Sequence, residues 1–175
     1  MSNHKCRVRF PRRFCSCARE VLGFGSRRLP PTLSVVSRKN AKIAALIEGC
    51  RGQELDAHYL GYFECFNRGL FYEAHDVLEV LWLANRQGPN GAFYKGLIQM
   101  AGAFVHLQKG RLQPAGALFR LSRANLLAFP ALHEQLDVSQ ALAMIEDWQT
   151  RLERTNYSAN PLTAETSPRL TLRSD

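Results

Sequence analysis

The sequence predicts an all-α fold: an irregular bundle of about five helices built from helical hairpins, faintly similar to tetratricopeptide repeats. Three observations lead there. Five segments carry apolar residues at helical spacing, and none alternates with the period of a strand. Glycines and prolines suited to ending helices fall between those segments. Between Gly96 and Leu107 the only polar side chains are Gln99 and His106, as in a helix surrounded by other elements.

In chain order, Ala41–Cys50 reads as a short helix that precedes the five. Leu55, Tyr59, Tyr62, Phe63 and Phe66 mark the first, closed by Asn67 and Gly69. Phe71–Asn85 is the second. A loop at Gly88-Pro-Asn-Gly91 leads into the third, Phe93–Lys109, which Gly110 ends. The fourth runs from about Gln113 to Ala128, with Pro114 tolerated in its first turn and Pro130 beyond its end. In the fifth, Asp137 is placed to cap a stripe of Val138, Ala141, Leu142, Ile145, Trp148 and Leu152. Gly69–Ala74 and Gly110–Ala115 form a weak internal repeat, each following one helix and opening the next. Their spacing of 41 positions differs from the roughly 34 of tetratricopeptide arrays.

The 175 residues thus divide into a basic N-terminal segment (1–40), expected to be mostly disordered, a helical domain (41–155) and a polar C-terminal tail (156–175), also expected to be disordered. Charge follows the same division. Met1–Lys42 carries net +10 and the remainder net −2, so the formal +8 of the chain comes from its first quarter. A nucleic-acid partner for the folded domain is not expected, because the cations lie outside it. The longest apolar run falls short of a membrane span, and the first residues hold no secretory apolar core. The five cysteines have no framework spacing, and His4, Cys6, Cys15 and Cys17 match no paired zinc pattern, so reduced thiols are expected. The expectation is a soluble cytoplasmic protein; organelle targeting through the Arg-rich start is the alternative.

One polar seam interrupts the apolar pattern. His75, Glu79 and Trp82 share a face of the second helix, while Gln99, Gly102, Ala103 and His106 share a face of the third. An antiparallel hairpin of the two would bring His75, Glu79, Gln99 and His106 together inside the molecule, in space left by Gly102 and Ala103. Phe71, Tyr72 and Trp82 would wall it from water, with Glu73 and Asp76 on the solvated side. Three chemistries fit such a cluster: a closed hydrogen-bond network that fixes register, a divalent metal held by His75, Glu79 and His106, or acid–base catalysis by Glu79 and His75. The ligand pocket would comprise Tyr72, Glu73, His75, Glu79, Trp82, Gln99 and His106. A helix-hairpin interaction module, its polar cluster merely structural, is the alternative of a different class. Nothing in the sequence names a partner, substrate or oligomeric state.

Phe66-Asn-Arg-Gly69, Phe71-Tyr-Glu-Ala-His-Asp76, Leu78-Glu79, Trp82, Lys95-Gly-Leu-Ile-Gln99 and His106-Leu107 resemble the small helical family termed domain of unknown function 309. The resemblance covers about Leu55–Ala128. The family pattern is similar to E-A-H-E-x-x-E, so Glu73, His75 and Glu79 carry over, while Asp76 stands where glutamate is usual. After the second histidine the family often reads Gly-Asn and then Gly-Ala; this chain has Gly110-Arg111 and then Pro114-Ala115. The resemblance implies an all-helical domain and assigns no activity.

Overall fold

Wherever a helix must end and the chain turn back, the last carbonyls need new donors, and the protein meets that need three times in the same way. The computed structural model describes residues 32–173, with side chains placed from residue 38 onward. Helix α1 spans Thr32–Ile47 and runs into a 3-10 turn at Glu48–Cys50; α2 spans Ala57–Asn67, α3 Phe71–Asn85 and α4 Gly91–Gln108. Then come α5 (Leu112–Leu126), the two-residue strands β1 (Leu132–His133) and β2 (Leu136–Asp137), and α6 (Val138–Arg154). The basic segment before residue 32, with Cys6, Cys15 and Cys17, lies outside the described residues.

After α2, Gly69 takes a left-handed φ of 72°, its N–H bonds Phe66 O at 2.9 Å, and the N–H of Leu70 reaches Cys65 O at 2.9 Å. After α4, Gly110 (φ 65°) bonds Leu107 O and Arg111 bonds His106 O, both at 2.9 Å. After α6, Asn156 (φ 47°) bonds Glu153 O and Tyr157 bonds Leu152 O, both at 2.8 Å. All three are Schellman closures, two of them using glycine because a side chain there resists the left-handed region. The first two also place a fully buried alanine, Ala74 or Ala115, in the next helix. The weak repeat in the sequence is therefore a repeat in backbone geometry.

Short connections make α2–α3, α3–α4 and α4–α5 successive hairpins. Helix α4 is central, as its apolar composition predicts. Its Phe104 ring meets Phe66 of α2 at 5.5 Å, Phe71 of α3 at 4.9 Å, Phe119 of α5 at 5.1 Å and Trp148 of α6 at 5.0 Å between centroids. Most of these are edge-to-face contacts, the arrangement favoured by ring quadrupoles. At the start of α6, the Asp137 carboxylate accepts the Gln140 N–H at 2.9 Å, the cap the sequence spacing predicts.

Three features differ from the sequence expectation. Helix α1 begins at Thr32 rather than Ala41, so the helical region extends into the basic segment. A small antiparallel hairpin pairs Leu132 with Asp137 and His133 with Leu136, turning through Glu134 and Gln135 at φ 48° and 61°. This hairpin is too short to show alternation. Finally, the polar segment expected to be a disordered tail lies against the domain. Asn67 clasps both the N–H and the carbonyl of Leu170 (2.8 and 2.7 Å), Leu170 is buried, and Leu172 bridges to Leu136. An extended segment held by backbone bonds has no periodic signature to read.

Truncating Phe104 to Ala should destabilise the fold by about 3–5 kcal/mol in chemical denaturation, because it empties the meeting point of four helices. Leu121→Ala, at an exposed position, should change it by about 0.5 kcal/mol or less. Similar values for the two would contradict the central role of α4.

Candidate functional site

Helix α3 buries Phe71, Ala74, Val77 and Leu78, leaving Tyr72, Val80 and Leu83 exposed on its opposite side. Helix α1 lies along the flank of α3, with Ile43 and Ile47 buried. Lysines on α1 meet carboxylates on α3 in antiparallel order. Lys39 Nζ lies 3.1 Å from Asp76 Oδ1 and 3.1 Å from Glu79 Oε2, and Lys42 Nζ lies 2.8 Å from Glu73 Oε1. His75 Nδ1 is 3.3 Å from the same Asp76 oxygen. One ligand atom each from His75, Asp76 and Glu79 falls within 4.8 Å of the others. Their side chains are 33%, 13% and 33% exposed, so the patch is part-buried and open to solvent.

This geometry corrects the polar seam. His75 and Glu79 do share a face, but the carboxylate they gather around is Asp76, and the partner helix is α1 rather than α4. Asp76, expected to be solvated, is the most enclosed of the three, and Glu73 is paired with Lys42. Gln99 turns to α5, where Asn125 Nδ2 donates to its Oε1 at 2.7 Å. His106 does not join the group; its Nδ1 is buried without a partner. Burial, followed by the nearby Arg111 and Lys109 cations, holds the pKa of that imidazole below its ordinary value. Tyr72 is exposed beneath the Lys109 ammonium, 5.9 Å from its ring centroid, and Trp82 lines a separate hollow. Of the pocket expected from sequence, Tyr72, Glu73, His75 and Glu79 thus stay together beside the α1 lysines, whereas Trp82, Gln99 and His106 are turned elsewhere and the His75/Glu79/His106 metal set is not assembled.

The reason lies in what the small residues of α4 are for. A Cβ on Gly96 would sit 2.9 Å from Leu126 Cγ, and Ser122 Oγ donates to the Gly96 carbonyl at 2.7 Å. Gly102 faces Leu118 of α5. The small stripe therefore lets α5 approach closely; it does not open a cavity toward α3. Periodicity alone cannot say which neighbour a face meets. The missed residues were Lys39 and Asp76, and the available signal was Lys39 and Lys42 one turn apart, just ahead of Ile43 and Ile47 at the α1 core.

Two ammoniums face three carboxylates across the patch. Partial burial alone would lower the pKa of the Lys39 ammonium, but its bonds to Asp76 and Glu79 reverse the sign and raise it. The bond from Lys42 holds the Glu73 carboxyl below its usual range. An imidazole and two carboxylates of this kind can hold a cation, and Asp76 can orient His75 for proton transfer. Among the described residues, no helix is long and apolar enough to cross a membrane.

Residues 59–119, from α2 to the middle of α5, match the family described as Domain of unknown function (DUF309). This supports the resemblance read from the motifs, and the matched segment includes His75, Asp76 and Glu79. No curated protein and no solved structure matches the chain.

Because Glu73 has a lowered folded-state pKa, its stabilising contribution is present above the ordinary carboxyl value and is lost as pH falls through the folded one. The melting temperature of Glu73→Gln should therefore lie below that of the parent at pH 7, and the gap should close below about pH 4. A gap that persists unchanged in acid would exclude the Lys42 pair as its cause.

Proposed function

We propose that the patch on α3 is a divalent-cation site formed by His75, Asp76 and Glu79, with Lys39 as a tethered competitor. The observation that carries this reading is the position of the Lys39 ammonium, 3.1 Å from each of two carboxylates with an imidazole on the same patch. A spot that already attracts a cation, and that offers one nitrogen and two oxygen donors, suits a borderline divalent ion such as zinc or manganese. Three donors drawn from little more than one helical turn occupy one side of an ion and leave the other side for water or substrate. A metal bound there would act as a Lewis acid and lower the pKa of its water. His75 and Glu79, the candidate acid–base pair, would then serve first as ligands, and no reaction is assigned.

Lys39 makes the proposal specific. Its ammonium keeps its proton and fills the site in the absence of metal, so binding must first displace it. Removing it raises the fraction of molecules ready to bind. A second reading, an interaction module, is favoured by exposed Tyr72, Val80 and Leu83 on the same outer face of α3, an apolar stripe beside the charges.

Titration calorimetry with zinc and with manganese separates these. Lys39→Gln should bind roughly tenfold more tightly than the parent, and Glu79→Gln should lose most of the affinity. Identical isotherms for parent, Lys39→Gln and Glu79→Gln would refute the cation site.

A further inference from the structure

A second hollow, distinct from the His75 patch, opens where α3 ends and α4 begins. It measures about 370 Å³ and is lined by Trp82, Arg86 and Gln87 on one side, Gly91 and Lys95 of α4 on another, and Asn125 of α5. That volume lies within the range of small-molecule sites, roughly 300–1,000 Å³. Trp82 and Lys95 belong to the motifs that carry the family resemblance, yet neither takes part in the cation patch.

The charge of this hollow is one-sided. It contains two cations, Arg86 and Lys95, and no acidic lining residue. Lys39, Lys42, Arg51, Arg151 and Arg173 each meet a carboxylate, whereas other described cations, Arg68, Arg111 and Arg123 among them, do not. What sets this hollow apart is that two such cations line the same concave surface. The side chains of Arg86 and Lys95 have neither an ion pair nor a hydrogen bond among the described residues. Two cations lining one hollow without a counter-charge form a place where an anion is favoured. The amide hydrogens of Asn125 are committed to Gln99 Oε1 at 2.7 Å and Leu121 O at 3.1 Å, which leaves its carbonyl to accept from a ligand N–H or O–H. Half-buried Trp82 supplies an aromatic surface beside the charges.

We propose that this hollow binds a small aromatic oxyanion. A phosphate or carboxylate sits between Arg86 and Lys95, and a flat ring stacks on Trp82. Arg86 offers a planar fork that matches either group, and Lys95 adds a point charge. The site is independent of the metal reading, since none of its lining residues lies in the cation patch.

The protein carries its own reporter. It has two tryptophans, and Trp148 is buried in the core, so a ligand entering the hollow perturbs the emission of Trp82. The full chain would be titrated with adenosine monophosphate, benzoate, inorganic phosphate and adenosine, with fluorescence read at long-wavelength excitation and calorimetry on the same samples. Adenosine monophosphate or benzoate should quench saturably, whichever is tighter naming the oxyanion. Adenosine and phosphate alone should bind at least about tenfold more weakly. Arg86→Gln and Lys95→Gln should each weaken binding about tenfold, the loss of one charge-assisted contact. Two results would overturn the proposal: no saturable signal by either method with both aromatic anions up to about 10 mM, or equal affinity in parent and charge variants. Phosphate as tight as the nucleotide would overturn the role of Trp82.

Discussion

The fold rests on one ring. Phe104 is the point where α2, α3, α5 and α6 each bring an aromatic side chain to α4, so the positions of four helices are fixed against a common surface. Interior packing at crystal-like density leaves little freedom once such a ring is in place. The charged groups of the two candidate sites lie on the flanks, while the polar groups left inside are few and small, such as Ser122 bonded to the Gly96 carbonyl. The His75 patch lies where α1 runs along α3, and the Trp82 hollow lies where α3 hands over to α4. Neither could sit in the interior without displacing part of this aromatic contact.

Much of the fold was legible in the sequence because periodicity and punctuation act locally. Helices α2 to α6 follow from apolar spacing, and their ends follow from Gly69, Gly110 and Asp137, whose roles depend on backbone bonds within a few residues. What was not legible depended on distant partners. The start of α1 at Thr32 hides in a basic run whose charge outweighs its helical pattern. The β1–β2 hairpin is two residues long on each side and is held by contacts beyond itself, including Tyr59 Oη donating to Glu134 O at 3.0 Å.

The candidate site shows the same division. That His75 and Glu79 would stand one turn apart on one face was readable. That the face would meet Lys39, and that Gln99 and His106 would be turned elsewhere, was not. A helix in the middle of a bundle has several neighbours, and a face of mixed small and polar residues fits either a close helix contact or a cavity. Leu126 against Gly96 decides it in favour of contact. The consequence for chemistry is substantial, because an open, part-buried patch exchanges ions and protons with water far more readily than an enclosed one.

The clasp of Asn67 on Leu170 joins positions 103 residues apart. During synthesis, the α2–α5 hairpins can form as each emerges, since their partners are adjacent in the chain. The groove beside α2 must wait until residue 170 has left the ribosome. Until then the hollow bounded by Leu46, Phe63 and Asn67 lacks the wall that Leu170 and Leu172 supply, and its apolar side chains stay open to chaperones and to unwanted association.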